Sequence, residues 1–169
     1  MEVQDVMNHN DDKEFVLEAV KENGKFLDIV SERLKDDKEV VKNALQQDSE
    51  ALEFASDRLK NDKEIIMMGV KGAPWTICYA SEKLRDDKEV VLESCKNYGQ
   101  ALYFASEELR NDREVVKAAV ENKGIIIKYA SQRLRNDKKL AEIAVKQNKQ
   151  AYYFISQELQ QDEEIKGLL

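Results

Sequence analysis

The chain repeats itself. Read from Asp12, it runs DKEFVLEAVKENGKFLDIVSERLKD (12–36), DKEVVKNALQQDSEALEFASDRLKN (37–61), DKEIIMMGVKGAPWTICYASEKLRD (62–86), DKEVVLESCKNYGQALYFASEELRN (87–111), DREVVKAAVENKGIIIKYASQRLRN (112–136) and DKKLAEIAVKQNKQAYYFISQELQQ (137–161). Asp162 then opens a seventh start, EEIKGLL. The period is 25 residues, without insertion or deletion. Self-similarity at a fixed period of this length means stacked supersecondary units, each covering the apolar side of the last. Position 1 of each repeat is its opening Asp.

Each repeat reads as two helices. In the first, positions 4, 5, 8 and 9 are mostly apolar, as in Val40, Val41, Ala44 and Leu45, and that spacing shares one helical face. Asp36, Asn61, Asp86 and Asn111 each stand three residues before a Glu, the spacing of a capping box, and the Asp one place later is an alternative cap. Gly24, Gly99 and Gly124 are expected to stop the helix in the left-handed conformation. The second helix is expected to run through segments such as QALYFASEELR, with positions 15, 16, 18, 19 and 23 apolar. Position 23 is Leu in all six repeats. Helices of about eleven residues are marginal alone, so the repeats must lean on one another. The fold class expected is all-α, an α-solenoid of two-helix, 25-residue repeats wound as a right-handed superhelix. Residues 1–11 read as an N-terminal cap, with Val3, Val6 and Met7 in a short helix, and 162–169 as a partial seventh unit or C-terminal cap.

Composition narrows the function. The formal charge is −7, which disfavours phosphate backbones and anionic membranes as partners. No apolar run approaches the ~20 residues of a membrane span. Two cysteines make no disulfide framework, and a reducing compartment such as cytoplasm is the simplest home. One histidine, His9, and two cysteines supply no recurring metal ligand set, so no metal or cofactor is expected. Serine recurs at position 20, from Ser31 to Ser156, without a neighbouring base, and its recurrence favours packing or a bond to the carbonyl four residues back. Cys95 occupies an apolar position and Cys78 an outward one. No catalytic role is expected.

The recurring pattern D-K-E-V-V-(x)3-A-V-K-(x)2-G-x-A-L-x-F-A-S-(x)2-L-[KR]-N resembles the tandem repeat of the family called domain of unknown function 4116, over residues 12–161. Residues 87–111 are the nearest copy of that pattern, while Lys139, Ala141 and Lys149 mark the sixth repeat's departures from it. The resemblance implies a helical repeat array of the kind found in bacterial and microbial-eukaryote proteins, some of them large proteins of intracellular bacteria. It implies an interaction role and transfers no catalytic residue. Cytoplasm then means that of the producing cell, or of a host cell if the chain belongs to a secreted effector.

Outward apolar groups are the candidate site. Positions 14 and 17 face away from the packed arc and hold Trp75, Cys78, Tyr103, Ile125, Lys128 and Tyr153, with Asp28 and Glu53 at the other end. Trp75, Tyr103 and Tyr153 are expected as anchors, Ile125 as a filler and Lys128 as an orienting charge for an unidentified protein or peptide. The bland alternative lays these rings flat on neighbouring helices. A weaker row, Leu17, Met67 and Leu92, is interrupted by Lys42 and Lys117. The inter-repeat turns are basic (Lys35 and Lys38, Lys60 and Lys63, Arg85 and Lys88, Arg110 and Arg113, Arg135 and Lys138), which offers a third reading, nucleic-acid binding, against local ion pairing. A structural spacer that binds nothing is the second. In GVKGAPWTICYAS (69–81), Gly72 is expected to end its helix early, Pro74 to open the next and Gly69 to allow close packing. A monomer is favoured over an oligomer.

Overall fold

The computed structural model describes residues 1–169, which are helical with intervening turns and contain no strand. They form two compact units, Met1–Leu84 and Arg85–Leu169, divided just before the fourth repeat begins.

Every repeat opens with an α-helix of ten residues. These are Lys13–Glu22, Lys38–Gln47 and Lys63–Gly72 in the first unit, and Lys88–Asn97, Arg113–Asn122 and Lys138–Gln147 in the second. The N-cap is the Asp at position 1: Asp62 accepts from the amides of Glu64 at 3.0 Å and Ile65 at 3.4 Å. The preceding Asp or Asn does not cap, so the capping box predicted from Asp36 and Asn61 does not close. Those side chains are engaged elsewhere, as described below. Gly72 ends its helix at the same length as every other repeat, not early.

The rest of the repeat is not the single helix that the sequence suggests. Position 12 is extended (φ −147°, ψ 109° at Asn23) and stops the first helix. A 3-10 helix follows: Gly24–Ile29, Ser49–Phe54, Pro74–Tyr79, Gly99–Tyr103, Gly124–Tyr129 and Lys149–Phe154. Positions 19 and 20 then extend again, as in Ala55 (φ −63°, ψ 152°) and Ser56 (φ −61°, ψ 157°). A four-residue α-helix closes the repeat, for example Asp57–Lys60. The serine causes the break, because an N-cap residue must leave helical geometry to aim its oxygen at the new helix. Ser56 Oγ accepts from the Leu59 amide at 3.2 Å. A short run of i→i+3 bonds tolerates such interruption where a long α-helix would not. The apolar arc survives: positions 15, 16, 19 and 23 are buried, except the half-buried Tyr152 at position 16 of the sixth repeat, and position 18 is half-buried.

The glycines at position 13 also differ from expectation. No residue has a positive φ. Gly24 and Gly99 are required by contact: a Cβ there would stand 2.5 Å from the carbonyl oxygens of Ala44 and Ala119 in the following repeat. The Gly24 amide donates to Gln47 Oε1 at 2.6 Å, and that of Gly99 to Asn122 Oδ1 at 2.8 Å. Between the second and third repeats the bulk is exchanged, since the Ser49 hydroxyl occupies the space a Cβ on Gly72 would need. Gly69 does allow close approach, its absent Cβ leaving room for Leu52.

Within each unit, consecutive repeats are locked by a backbone bond from the amide at position 20 to the carbonyl at position 24 of the repeat before. Ser56 to Lys35 and Ser81 to Lys60 are 3.0 Å, and Ser131 to Arg110 is 2.9 Å. The leucines at position 23 are all buried, Leu34, Leu59 and Leu134 almost completely. Each such side chain contributes about 1.5–3 kcal/mol. Towards the ends, Val3–Asn8 is a short helix with Val6 buried, and Glu163–Lys166 is a short helix with Ile165 buried. No helix is long and apolar enough to cross a membrane.

Candidate interaction surface

The recurring serine has two jobs, neither being the bond to the carbonyl four residues back. Besides capping, its hydroxyl donates to the side chain at position 25 of the preceding repeat: Ser56 to Asp36, Ser81 to Asn61, Ser106 to Asp86 and Ser131 to Asn111. In three places the residue at position 22 completes a clamp. Arg33 reaches Asp11, Arg58 reaches Asp36 and Arg133 reaches Asn111, each from Nε at 2.9–3.0 Å. In the fourth repeat that residue is Glu108. It shares a surface cleft with Asp86, and there the closing α-helix is replaced by a 3-10 turn, Leu109–Asn111.

The basic edge divides into two classes. Cations at position 2 are neutralised by the next repeat's Asp and Glu. Lys38 Nζ lies 2.6 Å from Asp62 and 2.9 Å from Glu64, Lys88 lies 2.8 Å from both Asp112 and Glu114, and Arg113 lies 2.7 Å from Asp137. Burial of Asp62, Asp112 and Asp137 opposes their charge. The adjacent cation and the capped amides outweigh it and hold each carboxyl below its ordinary range. Cations at position 24 behave otherwise. Lys35 pairs with Glu32 at 2.9 Å, and Lys60 donates to the Glu53 carbonyl at 2.7 Å. Arg85, Arg110 and Arg135 make no ion pair, and the Nε of each is buried without a hydrogen-bond partner.

The outward positions also differ between the units. In the first, Trp75 is 46% exposed, Asp28 and Glu53 are exposed, and Lys25 pairs across one repeat with Glu50 at 3.2 Å. In the second, Tyr103 is 57% and Tyr153 75% exposed. Tyr103 sets its edge against Phe104 (5.2 Å) and against Tyr129 of the next repeat (5.1 Å). Lys128, exposed at its root, lays its ammonium over Tyr129 (4.8 Å) and over Phe154 of the next repeat (5.9 Å). Position 17 of one repeat thus leans on the position-18 ring of the following one. Ile125, predicted outward, is half-buried, because the 3-10 helix turns position 14 partly toward the stack. The sequence singled out Tyr103 and Lys128 but not Tyr129 and Phe154, whose position counted as core. Of the weaker row, Leu17, Met67 and Leu92 are half-buried.

Burial pushes the Cys95 thiol up to about 12, and Cys78 is half-buried. His9 stacks on Phe15. No three His, Cys, Asp or Glu side chains gather as a metal site.

Regular helical repeats, stacked in phase and bonded one to the next within each unit, define this chain as an α-helical repeat array. It belongs to the family described as Domain of unknown function (DUF4116), whose profile matches five times in tandem, at residues 12–60, 37–85, 62–110, 87–134 and 112–160. Each match spans about two repeats and advances by one. No curated protein and no solved structure matches.

Proposed function

We propose that this chain is a non-catalytic scaffold that binds a protein or peptide through Trp75, Tyr103 and Tyr153, with Ile125 as a filler and Lys128 as an orienting charge. One observation carries the reading: away from the chain ends, these three rings are the exposed large apolar side chains, while 46 apolar residues are buried. Tyrosine and tryptophan give much contact area for little conformational entropy and dominate measured interface energies. A non-catalytic role accords with serines committed to capping and a thiol held protonated by burial. Nucleic-acid binding along the basic edge is disfavoured by the ion pairs that consume the position-2 cations. A reducing compartment suits two unbridged thiols.

The test is capture of binding partners by the intact array and by the Trp75→Ala/Tyr103→Ala double variant. The expected result is a loss of captured partner of at least about tenfold. Unchanged capture overturns the reading and leaves a spacer role.

A further inference from the structure

Two open clefts in the second unit are copies of each other in consecutive repeats. One, of about 300 Å³, is walled by Glu107, Arg110, Tyr129, Ala130 and Ser131. The other, of about 420 Å³, is walled by Gln132, Arg135, Ile155, Ser156 and Gln157. Each sits where the position-24 arginine of one repeat meets positions 19 and 20 of the next. Their register is fixed by the backbone bonds from Ser131 to the Arg110 carbonyl (2.9 Å) and from Ser156 to the Arg135 carbonyl (3.0 Å). A third rung is set the same way, with Ser106 bonded to the Arg85 carbonyl at 3.2 Å.

The charge on these rungs has no internal partner. The chain carries more acids than bases, 34 against 27, yet Arg85, Arg110 and Arg135 are left out of every ion pair. Their Nε atoms are buried and unbonded, so the terminal amino groups of each guanidinium are the donors an incoming acceptor meets. The guanidinium fork matches a carboxylate with two parallel bonds. Packed helices lie about 9 Å apart. An extended chain in polyproline-II geometry rises about 3.1 Å per residue and so presents every third side chain to one side at about 9 Å.

We propose that Arg85, Arg110 and Arg135 form a ladder that takes an extended acidic peptide with a carboxylate at every third residue. This rests on the scaffold reading above and names the chemistry of its partner. A single-stranded nucleic acid suits the ladder less well. Its phosphates recur at every residue and would meet Glu107 and Glu108 as well as the arginines. The cleft at Arg135 carries no acid, whereas Glu107 stands in the cleft at Arg110, so Arg135 is the stronger rung.

The experiment uses the full chain and fluorescence anisotropy with a labelled twelve-residue peptide, Glu-Pro-Pro repeated four times. Controls are the same composition with its glutamates contiguous, the Lys-Pro-Pro peptide and a twelve-nucleotide oligouridine. The Glu-Pro-Pro peptide is expected to bind at low salt, at least fivefold tighter than the contiguous version, and the Lys-Pro-Pro peptide not at all. Arg135→Gln is expected to weaken binding about tenfold and Arg110→Gln about threefold. Glu107→Gln should tighten it about threefold, a gain that misfolding cannot mimic. Absent binding, equal binding of the two acidic peptides, or tighter binding of oligouridine overturns the proposal. So does self-association in sedimentation that Arg110→Gln/Arg135→Gln abolishes, which would make the occupant a second copy of the chain. If ring-dependent partner capture persists while the acidic peptides fail, this inference falls and the scaffold reading stands.

Discussion

Residues 1–84 and 85–169 are built on one plan and dressed differently. Their interiors follow one pattern: positions 4, 5, 8, 9 and 23 are buried in both, apart from the half-buried Phe15 of the first repeat, with the same ten-residue helices and Asp caps. Their surfaces diverge. The first unit has 12 Lys and Arg against 19 Asp and Glu, so it carries the whole excess of −7, while the second has 15 of each. Position 17 reads Asp28, Glu53, Cys78 in the first and Tyr103, Lys128, Tyr153 in the second. Position 24 reads Lys35 and Lys60, both partnered, then Arg85, Arg110 and Arg135 without ion pairs. Packing density holds interior positions to one solution, since a methylene more or less is felt at once. Outward positions in a stacked array carry no such debt and are free to take up recognition.

The comparison breaks most readily at the core. Leu59→Ala in the first unit and Leu134→Ala in the second should each destabilise by about 2–5 kcal/mol in chemical denaturation, and by similar amounts. A cost confined to one substitution would mean the interiors are not equivalent. A smaller effect tests the turns. Gly99→Ala forces a Cβ toward the Ala119 carbonyl and should cost about 1–3 kcal/mol. Ser49→Ala, where the turn already holds a side chain against Gly72, should be nearly neutral by the same assay. Equal effects would show that contact is not what places glycine there. The smallest effect sharpens the surface contrast. Glu108→Arg gives the fourth repeat the clamp seen at Arg58 and removes a carboxylate from the cleft of Asp86. It should raise the melting temperature by about 1–3 °C. No rise, or a fall, would show the clamp to be ornamental.

Much of this was legible in the residues. The period, the first helix, its buried positions and the exposure of Trp75, Tyr103 and Tyr153 follow from spacing alone. The second half of each repeat did not, because its apolar spacing fits a continuous helix as well as a 3-10 turn, a break and a short helix. Ser at position 20 was the available signal: a residue that favours caps, recurring in the middle of an expected helix. The sequence reads the glycines as left-handed helix stops, whereas their reason is a neighbouring carbonyl, a contact invisible within one repeat. The free arginines were hidden for a similar reason. Lys38 and Arg110 look alike in a basic turn, and only the three-dimensional neighbours separate the neutralised cation from the solitary one.

The close approach at position 13 has a bearing on how such arrays grow. A glycine there, with a glutamine or asparagine at position 11 of the follower, is one joint; a serine there, with a glycine at position 11, is another. Duplicating the second repeat alone would set Ser49 against Gln47, two halves of different joints, whereas duplicating the fourth, with Asn97 and Gly99, would remake the glycine joint. Copies that hold both halves of one joint, as the fourth and fifth do, are therefore the ones that can be multiplied singly, and the geometry marks where such an array can lengthen.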